Sequence, residues 1–232
     1  MPTSGSTDWA LTRDQIISSA LRKLGVLASG QSPTTNQVND ASMALNGLVK
    51  ALQADGMPLW KITTHTFATV ADTSSYTIGV GQTLNVPAPL KVIKATYNRD
   101  GSHEVPMNIE TRYDFFNMPG TSEGTPVTLH YQPLRNTGII RLWPIPQDAL
   151  TNITIHYQTM YEDFDGASDD ADFPSYWHTA IIYNLAWLLA PEYGIPPSDR
   201  NILSKEAMYW KEQALSFGSE EGSLYISPNT RE

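Results

Sequence analysis

The sequence has 232 residues, of which 41% are hydrophobic and only 17% are charged, so it is long enough for one large domain or two small ones. It contains no cysteine, which excludes disulfides, thiolate metal ligands and cysteine nucleophiles. The formal net charge is −9, and an acidic surface disfavours adhesive binding to the phosphate backbone of DNA. No uninterrupted apolar run approaches the roughly 20 residues that cross a bilayer, so we expect no membrane partner.

Two amphipathic helices are predicted at the start of the chain. Thr12 and Gln15 have the spacing of a capping box, which begins a helix that runs to about Leu24. Ser32 and Pro33, a cap and a first-turn proline, begin a second helix that runs to about residue 54. Apolar residues recur in it at steps of three and four, namely Val38, Ala41, Leu45, Leu48 and Leu52.

The chain then changes from helix to strand. Gly56 can adopt the left-handed conformation that ends a helix, and Pro58 prevents its continuation. Trp60 begins a run rich in threonine and β-branched residues, which is typical of a strand. We therefore expect helical packing before residue 60 and sheet packing after it.

Residues 60–159 consist of short runs separated by Gly, Pro, Asn and Asp, the pattern of a sandwich or barrel. Strands are predicted near residues 60–70, 75–79, 90–98, 104–108, 127–132, 139–143 and 152–159. Two of them alternate, with a buried face formed by Val127, Leu129, Tyr131, Ile153, Ile155 and Tyr157, and a solvated face that includes Thr128, His130 and Gln132. A short helix at 111–117 is expected to cover one edge or end of the sheet.

The segment Glu162–Asp172 contains six acidic residues and no basic one, and it is predicted to be a linker that ends with Asp172 as a helix cap. Two further helices follow, near residues 175–190 and 198–217, and both have apolar stripes. The final fifteen residues are polar around a single apolar island, Leu224 to Ile226.

The usual catalytic and nucleotide-binding motifs are absent from the sequence. There is no G-x-S-x-G, no G-x-x-x-x-G-K and no H-E-x-x-H, and the fragment Gly79-Val80-Gly81 is more typical of a turn between strands. We therefore predict no catalytic residue, no cofactor and no enzymatic activity.

Histidines and carboxylates offer only weak metal sites. His130 and His156 could form half of a site if their strands pair, but two solvated histidines are the favoured interpretation because no third ligand is evident. His178 is expected at the surface or at a cap. The acidic segment lacks the final bidentate glutamate of a calcium loop, so we predict no metal there.

Five of the six tryptophans could together form a carbohydrate platform. They are Trp60, Trp143, Trp177, Trp187 and Trp210. Because three of them lie at or near helical stripe positions, core or interface anchors are the favoured interpretation.

Several short motifs occur in a characteristic order. They are Leu45, Asn46, Leu48, Leu52, Asp55 and Gly56; Tyr76; Pro144 and Pro146; and Pro174, Tyr176, Asn184, Leu185, Ala186 and Ala190 to Gly194. In this order of parts the chain resembles, over roughly residues 11–217, the head-to-tail adaptor proteins of tailed bacteriophages. The similarity is strongest to those of short-tailed phages, also called head-completion or packaged-DNA stabilisation proteins.

The resemblance implies a structural virion protein in the neck or tail region, assembled in the host cytoplasm. It implies a ring, usually of twelve identical copies, that binds the portal protein above and a nozzle or tail-tube protein below. Genomic DNA would pass through the lumen without sequence-specific binding. The alternative from another class is a wall-associated hydrolase or a sugar-binding β module.

The predicted fold class is α+β. A four-helix lobe is expected from the N- and C-terminal helix pairs, residues 1–59 and 172–217, with an inserted antiparallel β-sandwich or barrel lobe of residues 60–171. Residues 218–232 form an extended tail in this prediction. Leu224, Tyr225 and Ile226 are predicted to dock on the portal or on a neighbouring copy.

Overall fold

A computed structural model describes residues 5, 9–55, 61–99, 101 and 103–217 of the chain. The helices are α1 (Arg13–Lys23), α2 (Thr35–Ala54), α3 (Arg112–Phe116), α4 (His178–Leu189) and α5 (Pro197–Phe217), with a 3-10 turn at Ser175–Trp177. The strands are β1 (Ile62–Ala68), β2 (Ser75–Ile78), β3 (Lys91–Asn98), β4 (Val105–Pro106), β5 (Asn108–Ile109), β6 (Glu123–Gly124), β7 (Thr128–Pro133), β8 (Gly138–Trp143), β9 (Ile145–Pro146) and β10 (Asn152–Gln158). The predicted α+β class is confirmed.

The chain divides into two compact units. One combines Met1–Pro58 with Tyr161–Glu232 and is helical in its described part, and the other is Leu59–Met160 and contains the strands. The acidic segment after residue 160 therefore lies in the helical unit, whereas the sequence placed most of it at the end of the β lobe. The reason is that its backbone is hydrogen-bonded to residues of α1 and α2, as described below.

In the helical unit, α4 packs against α1, α2 and α5, and α1 also packs against α2. The core consists of apolar side chains from all four helices and the 3-10 turn: Ile16, Ile17, Leu21, Ala41, Leu45, Val49, Leu52, Trp177, Ile181, Leu185, Leu189, Ala207 and Ala214. Burial of such side chains is the main stabilising contribution in a bundle of this kind.

Of the three helix caps at the starts of α1, α2 and the 3-10 turn, the sequence predicted one correctly and two incorrectly. The capping box of α1 is confirmed, since Gln15 N–H donates to Thr12 Oγ1 and Thr12 N–H donates to Gln15 Oε1. The start of α2 was placed too early, because Thr34 caps it instead and forms a second capping box with Gln37. Asp172 was wrongly predicted as a cap: Pro174 precedes the 3-10 turn, with no side-chain cap.

The β unit contains two four-stranded sheets, with strand orders β1-β10-β3-β4 and β2-β8-β7-β5, and a two-stranded sheet of β6 and β9. Both larger sheets contribute side chains to one hydrophobic core, and they do not close into a barrel. The pairs β5–β7 and β6–β9 are parallel, while the remaining pairs are antiparallel. The described strands are thus arranged as a sandwich.

The strands β7 and β10, in which apolar and polar residues alternate, differ in how far their polar side chains are buried. In β10 the predicted inward residues are fully buried, while Thr154 and His156 between them are partly exposed. In β7 Leu129 is fully buried, but Thr128 and His130 on the other face are also buried. The solvated face was predicted wrongly for β7, because α3 packs against this strand and excludes water from it.

The helix-to-strand junction at residues 56–60 and the tail at 218–232 lie outside the described residues. Within the part that is described, no helix combines the length and the apolar character needed to cross a bilayer.

Candidate interaction surfaces

The two histidines considered as a metal site lie in different sheets. His156 Nδ1 is 3.0 Å from Thr64 Oγ1 on the neighbouring strand β1. His130 Nδ1 is 3.0 Å from the carbonyl oxygen of Glu110, which can only accept, so Nδ1 carries the proton. Among the described residues, no group of three or more His, Asp or Glu side chains could hold a metal ion.

The acidic segment is anchored to α2 by Asn46. The side-chain amide donates to the carbonyl oxygen of Phe164 at 3.3 Å, and the Phe164 N–H donates to Asn46 Oδ1 at 2.9 Å. An asparagine side chain therefore pairs with the backbone as a neighbouring strand would. Because Phe164 is buried and packs near Phe173, this pairing holds the segment against the bundle.

Two basic residues fix the same segment at other points. Lys50 Nζ donates to the carbonyl oxygen of Tyr161 at 2.8 Å and lies 2.8 Å from a carboxylate oxygen of Asp163. The Arg13 guanidinium donates to the carbonyl oxygen of Asp165, and the Arg13 backbone N–H donates to that of Asp169. The segment is an ordered element of the helical unit and not the linker that its composition suggested.

A tight turn completes this ordered segment. The Asp169 carboxylate accepts hydrogen bonds from the backbone N–H groups of Asp165 and Gly166. A Cβ atom at Gly166 would lie 2.7 Å from Asp169 Oδ1, so only glycine fits this turn without displacing the carboxylate. The result is an acidic loop, residues 162–172, whose carboxylates at 162, 163, 165, 170 and 172 belong to exposed residues.

Two more polar contacts connect distant helices. Lys211 of α5 pairs with Asp55 at the end of α2 at 2.7 Å, and its hydrogen bond and charge lower the pKa of the Asp55 carboxyl. The buried Asn184 of α4 donates to the carbonyl oxygens of Ala180 at 2.8 Å and Ala207 at 3.1 Å, which links α4 to α5. Asn46, Asp55 and Asn184 were noted in the sequence as motif residues, but their roles were not predicted because each partner depends on the tertiary fold.

An aromatic groove lies beside the end of α5. It is lined by Trp9, Tyr176 and Phe217, which are 60%, 37% and 75% exposed, together with Ser175, Thr179, Trp210, Gln213 and Ala214. The Tyr176 and Phe217 rings lie 4.7 Å apart, and Trp9 contacts the His178 ring edge-on at 5.0 Å. Of the two positions predicted for His178, the cap is the observed one, because His178 is the C-cap residue of the 3-10 turn. Its side chain is buried and not at the surface, and this burial lowers its pKa.

A second apolar surface, which we call the α4–α5 surface, lies between α4 and the start of α5. Trp187 and Leu188 are 45% and 42% exposed and line it together with Pro191 and Pro197. Large apolar side chains grouped at a surface are typical of protein–protein contacts.

The β unit has one arginine-rich aromatic surface. The exposed Phe116 ring has two guanidinium groups near it, that of Arg112 at 5.8 Å and that of Arg141 at 5.4 Å from the ring centroid. Such cation–π pairs are weak at exposed sites, on the order of 0.5–1 kcal/mol. Tyr113 on the same short helix is 78% exposed.

The tryptophans do not form one platform. Trp177 is fully buried in the helical core, and Trp143 donates its indole N–H to the carbonyl oxygen of Pro119 in the β unit. Trp210 stacks on Tyr183, whereas Trp187 is half exposed. Trp60 is outside the described residues.

The family model described as SU10 adaptor protein matches residues 11–226. The chain belongs to the SU10 adaptor protein family. The resemblance to phage head-to-tail adaptors found in the sequence is thereby confirmed. No curated protein matches the chain.

As a member of the SU10 adaptor family, the protein is a phage adaptor and a structural protein, which favours this function over a wall hydrolase or sugar-binding module. Membership implies association with portal and tail proteins and a place in the virion neck. The functional parts of such a protein are surfaces. In this adaptor, the acidic loop, the aromatic groove, the α4–α5 surface and the arginine-rich surface are the candidates.

Proposed function

We propose that this adaptor forms a closed ring of identical copies, twelve by analogy with the phage adaptors it resembles, beneath the portal. The ring joins the capsid to the tail and provides a conduit and seal for DNA. The observation that carries the proposal is the family match, which spans nearly the whole described chain. A ring needs two different complementary surfaces on each copy, in a head-to-tail arrangement that closes.

The apolar α4–α5 surface supports the ring. Exposed tryptophan and leucine side chains are favourable at the centre of an interface, where they are removed from water. Trp187 and Leu188 provide such side chains on one face of the helical unit. We propose that a neighbouring copy covers them.

The acidic loop supports a conduit that does not adhere to DNA. Its carboxylates are held by a fixed backbone and are exposed, and like charge repels a phosphate backbone within roughly a Debye length, about 8 Å at physiological salt. We propose that DNA passes through the ring without sequence-specific binding.

The remaining proposals concern assembly. The portal lies above the ring and a nozzle or tail-tube protein below it, and assembly takes place in the host cytoplasm. Leu224, Tyr225 and Ile226 dock as an extended segment on the portal or on a neighbouring copy. Neither a metal nor a cofactor is needed for these roles.

Electron microscopy of the purified chain mixed with portal rings tests the proposal directly. We expect rings of adaptor attached to one end of the portal, which are lost in a Trp187→Ser/Leu188→Ser variant. A matched control is Met208→Ser/Ile202→Ser, which changes two exposed apolar residues of α5 that do not line the surface. A lone monomer that degrades peptidoglycan and ignores the portal would contradict the proposal.

Deletion of residues 218–232 tests the role of the tail separately. The truncated chain should keep its fold, measured by circular dichroism, but should fail to join the portal. Normal attachment of the truncated chain would remove the tail from the proposal while leaving the ring intact.

A further inference from the structure

The aromatic groove leaves three aromatic side chains in contact with water. Trp9, Tyr176 and Phe217 form part of its wall, and Ala214 and Trp210 also line it. Apolar area left in contact with water is unfavourable. A grouped patch of this kind is typical of a binding surface.

The position of the groove in the chain indicates its occupant. Phe217 is both part of the groove wall and the last residue before the tail. Six residues, GSEEGS, separate it from Leu224, and two of them are glycines. An extended chain of this length spans at most about 24 Å, so the island Leu224–Ile226 stays close to the groove of its own copy.

The short tether of residues 218–223 strongly favours contact between the island Leu224–Ile226 and the groove of the same copy. A short flexible linker holds its two ends at an effective concentration in the millimolar range, well above the concentration of a second copy in dilute solution. The island contains three large apolar side chains in a polar tail, so it matches the chemistry of the groove. The side chains of Thr179 and Gln213 at the groove provide hydrogen-bonding groups for an extended backbone.

We propose that in the free subunit Leu224–Ile226 folds back onto the aromatic groove of the same copy and covers it. The tail then shields the groove before assembly, and its release makes both the groove and the tail available to a partner. This inference concerns the isolated chain and does not depend on the ring, although the tail is the one proposed above to dock on a partner. The two proposals therefore fail separately.

Disulfide trapping tests the inference, because the chain contains no natural cysteine. Ser175→Cys places a thiol on the groove, where residue 175 is exposed, and Ser227→Cys places one directly after the island. In a redox buffer we expect rapid formation of an intrachain disulfide whose rate does not depend on protein concentration.

The matched control adds Leu224→Ser, Tyr225→Ser and Ile226→Ser to the same double-cysteine chain, which keeps the tether but removes the apolar island. We expect the effective concentration of the two thiols to fall at least about tenfold, equivalent to about 1.4 kcal/mol. Trp9→Ser, which removes part of the groove wall, should lower it in the same direction.

Three results would overturn the inference. They are equal disulfide rates with and without the island, no effect of Trp9→Ser, and a disulfide that forms only between copies in proportion to concentration. The last result would assign the groove to a second copy. Near-ultraviolet circular dichroism of each variant verifies that the fold is kept.

Discussion

The two units of the adaptor differ in how many stretches of chain form them. The β unit is one continuous stretch of chain, and its core residues all lie within it. The helical unit is assembled from two stretches, and polar contacts across them join residues far apart in sequence, such as Asn46 to Phe164 and Asp55 to Lys211. The β unit therefore contains all the residues of its own core, whereas each stretch of the helical unit needs the other stretch to complete its core.

Separating the two units should change folding more than any single substitution. A fragment of residues 59–160 should fold alone and unfold cooperatively in urea, because its two sheets share a complete core. A fragment of residues 1–58 should show little helix, because isolated helices without tertiary packing are marginal in water. Circular dichroism measures both. A helical 1–58 fragment, or an unfolded 59–160 fragment, would contradict this difference between the two units.

A smaller effect is expected from breaking one contact across the helical unit. Asn46→Ala leaves the N–H and carbonyl groups of Phe164 without their partner and should lower the free energy of unfolding by about 1–3 kcal/mol. The control Asn39→Ala makes the same change at an exposed position of α2, so it includes the same gain in helix propensity. Equal stabilities of the two variants in urea titrations would contradict the anchoring role.

The smallest expected effect is a dependence on pH. Burial lowers the pKa of His178 below its unfolded value of about 6.5, so the neutral ring is favoured in the folded state. Its contribution to stability is fully present above the unfolded pKa and is lost as pH falls through the folded pKa.

Urea titrations at pH 7.5 and pH 5 measure this effect. We expect the unfolding free energy to decrease on acidification, and His178→Leu should reduce the decrease. The control variant His156→Gln, in the β unit, still contains His178, so it should keep the part of the decrease in unfolding free energy that His178 causes. If His178→Leu leaves the difference between the two pH values unchanged, the assignment is wrong.

The parts of the fold that could be predicted depend on local patterns. The seven strands inferred from alternation and turn residues all occur, and the five helices occur near their predicted ranges, because periodicity and capping are properties of neighbouring residues. The two-residue strands β5, β6 and β9 were missed, because such short pairs form only where tertiary structure brings them together.

The functional surfaces were harder to predict. Composition correctly indicated an acidic segment, but its ordered conformation depends on Asn46, whose partner is 118 residues away. The burial of His130 depends on a helix that covers the outer face of its strand. The only sequence signal for the role of Asn46 is its position: it is a polar residue directly after Leu45, beside the apolar stripe of α2.

The split construction of the helical unit has a consequence for synthesis on the ribosome. About 120 residues separate the end of α2 from the start of α4. At roughly 5–20 residues per second, α1 and α2 emerge about 6–25 s before the helix that covers them. During that time α4 does not yet cover their apolar stripes, so the yield of adaptor in an infected cell should depend on how fast the β unit is translated and folded.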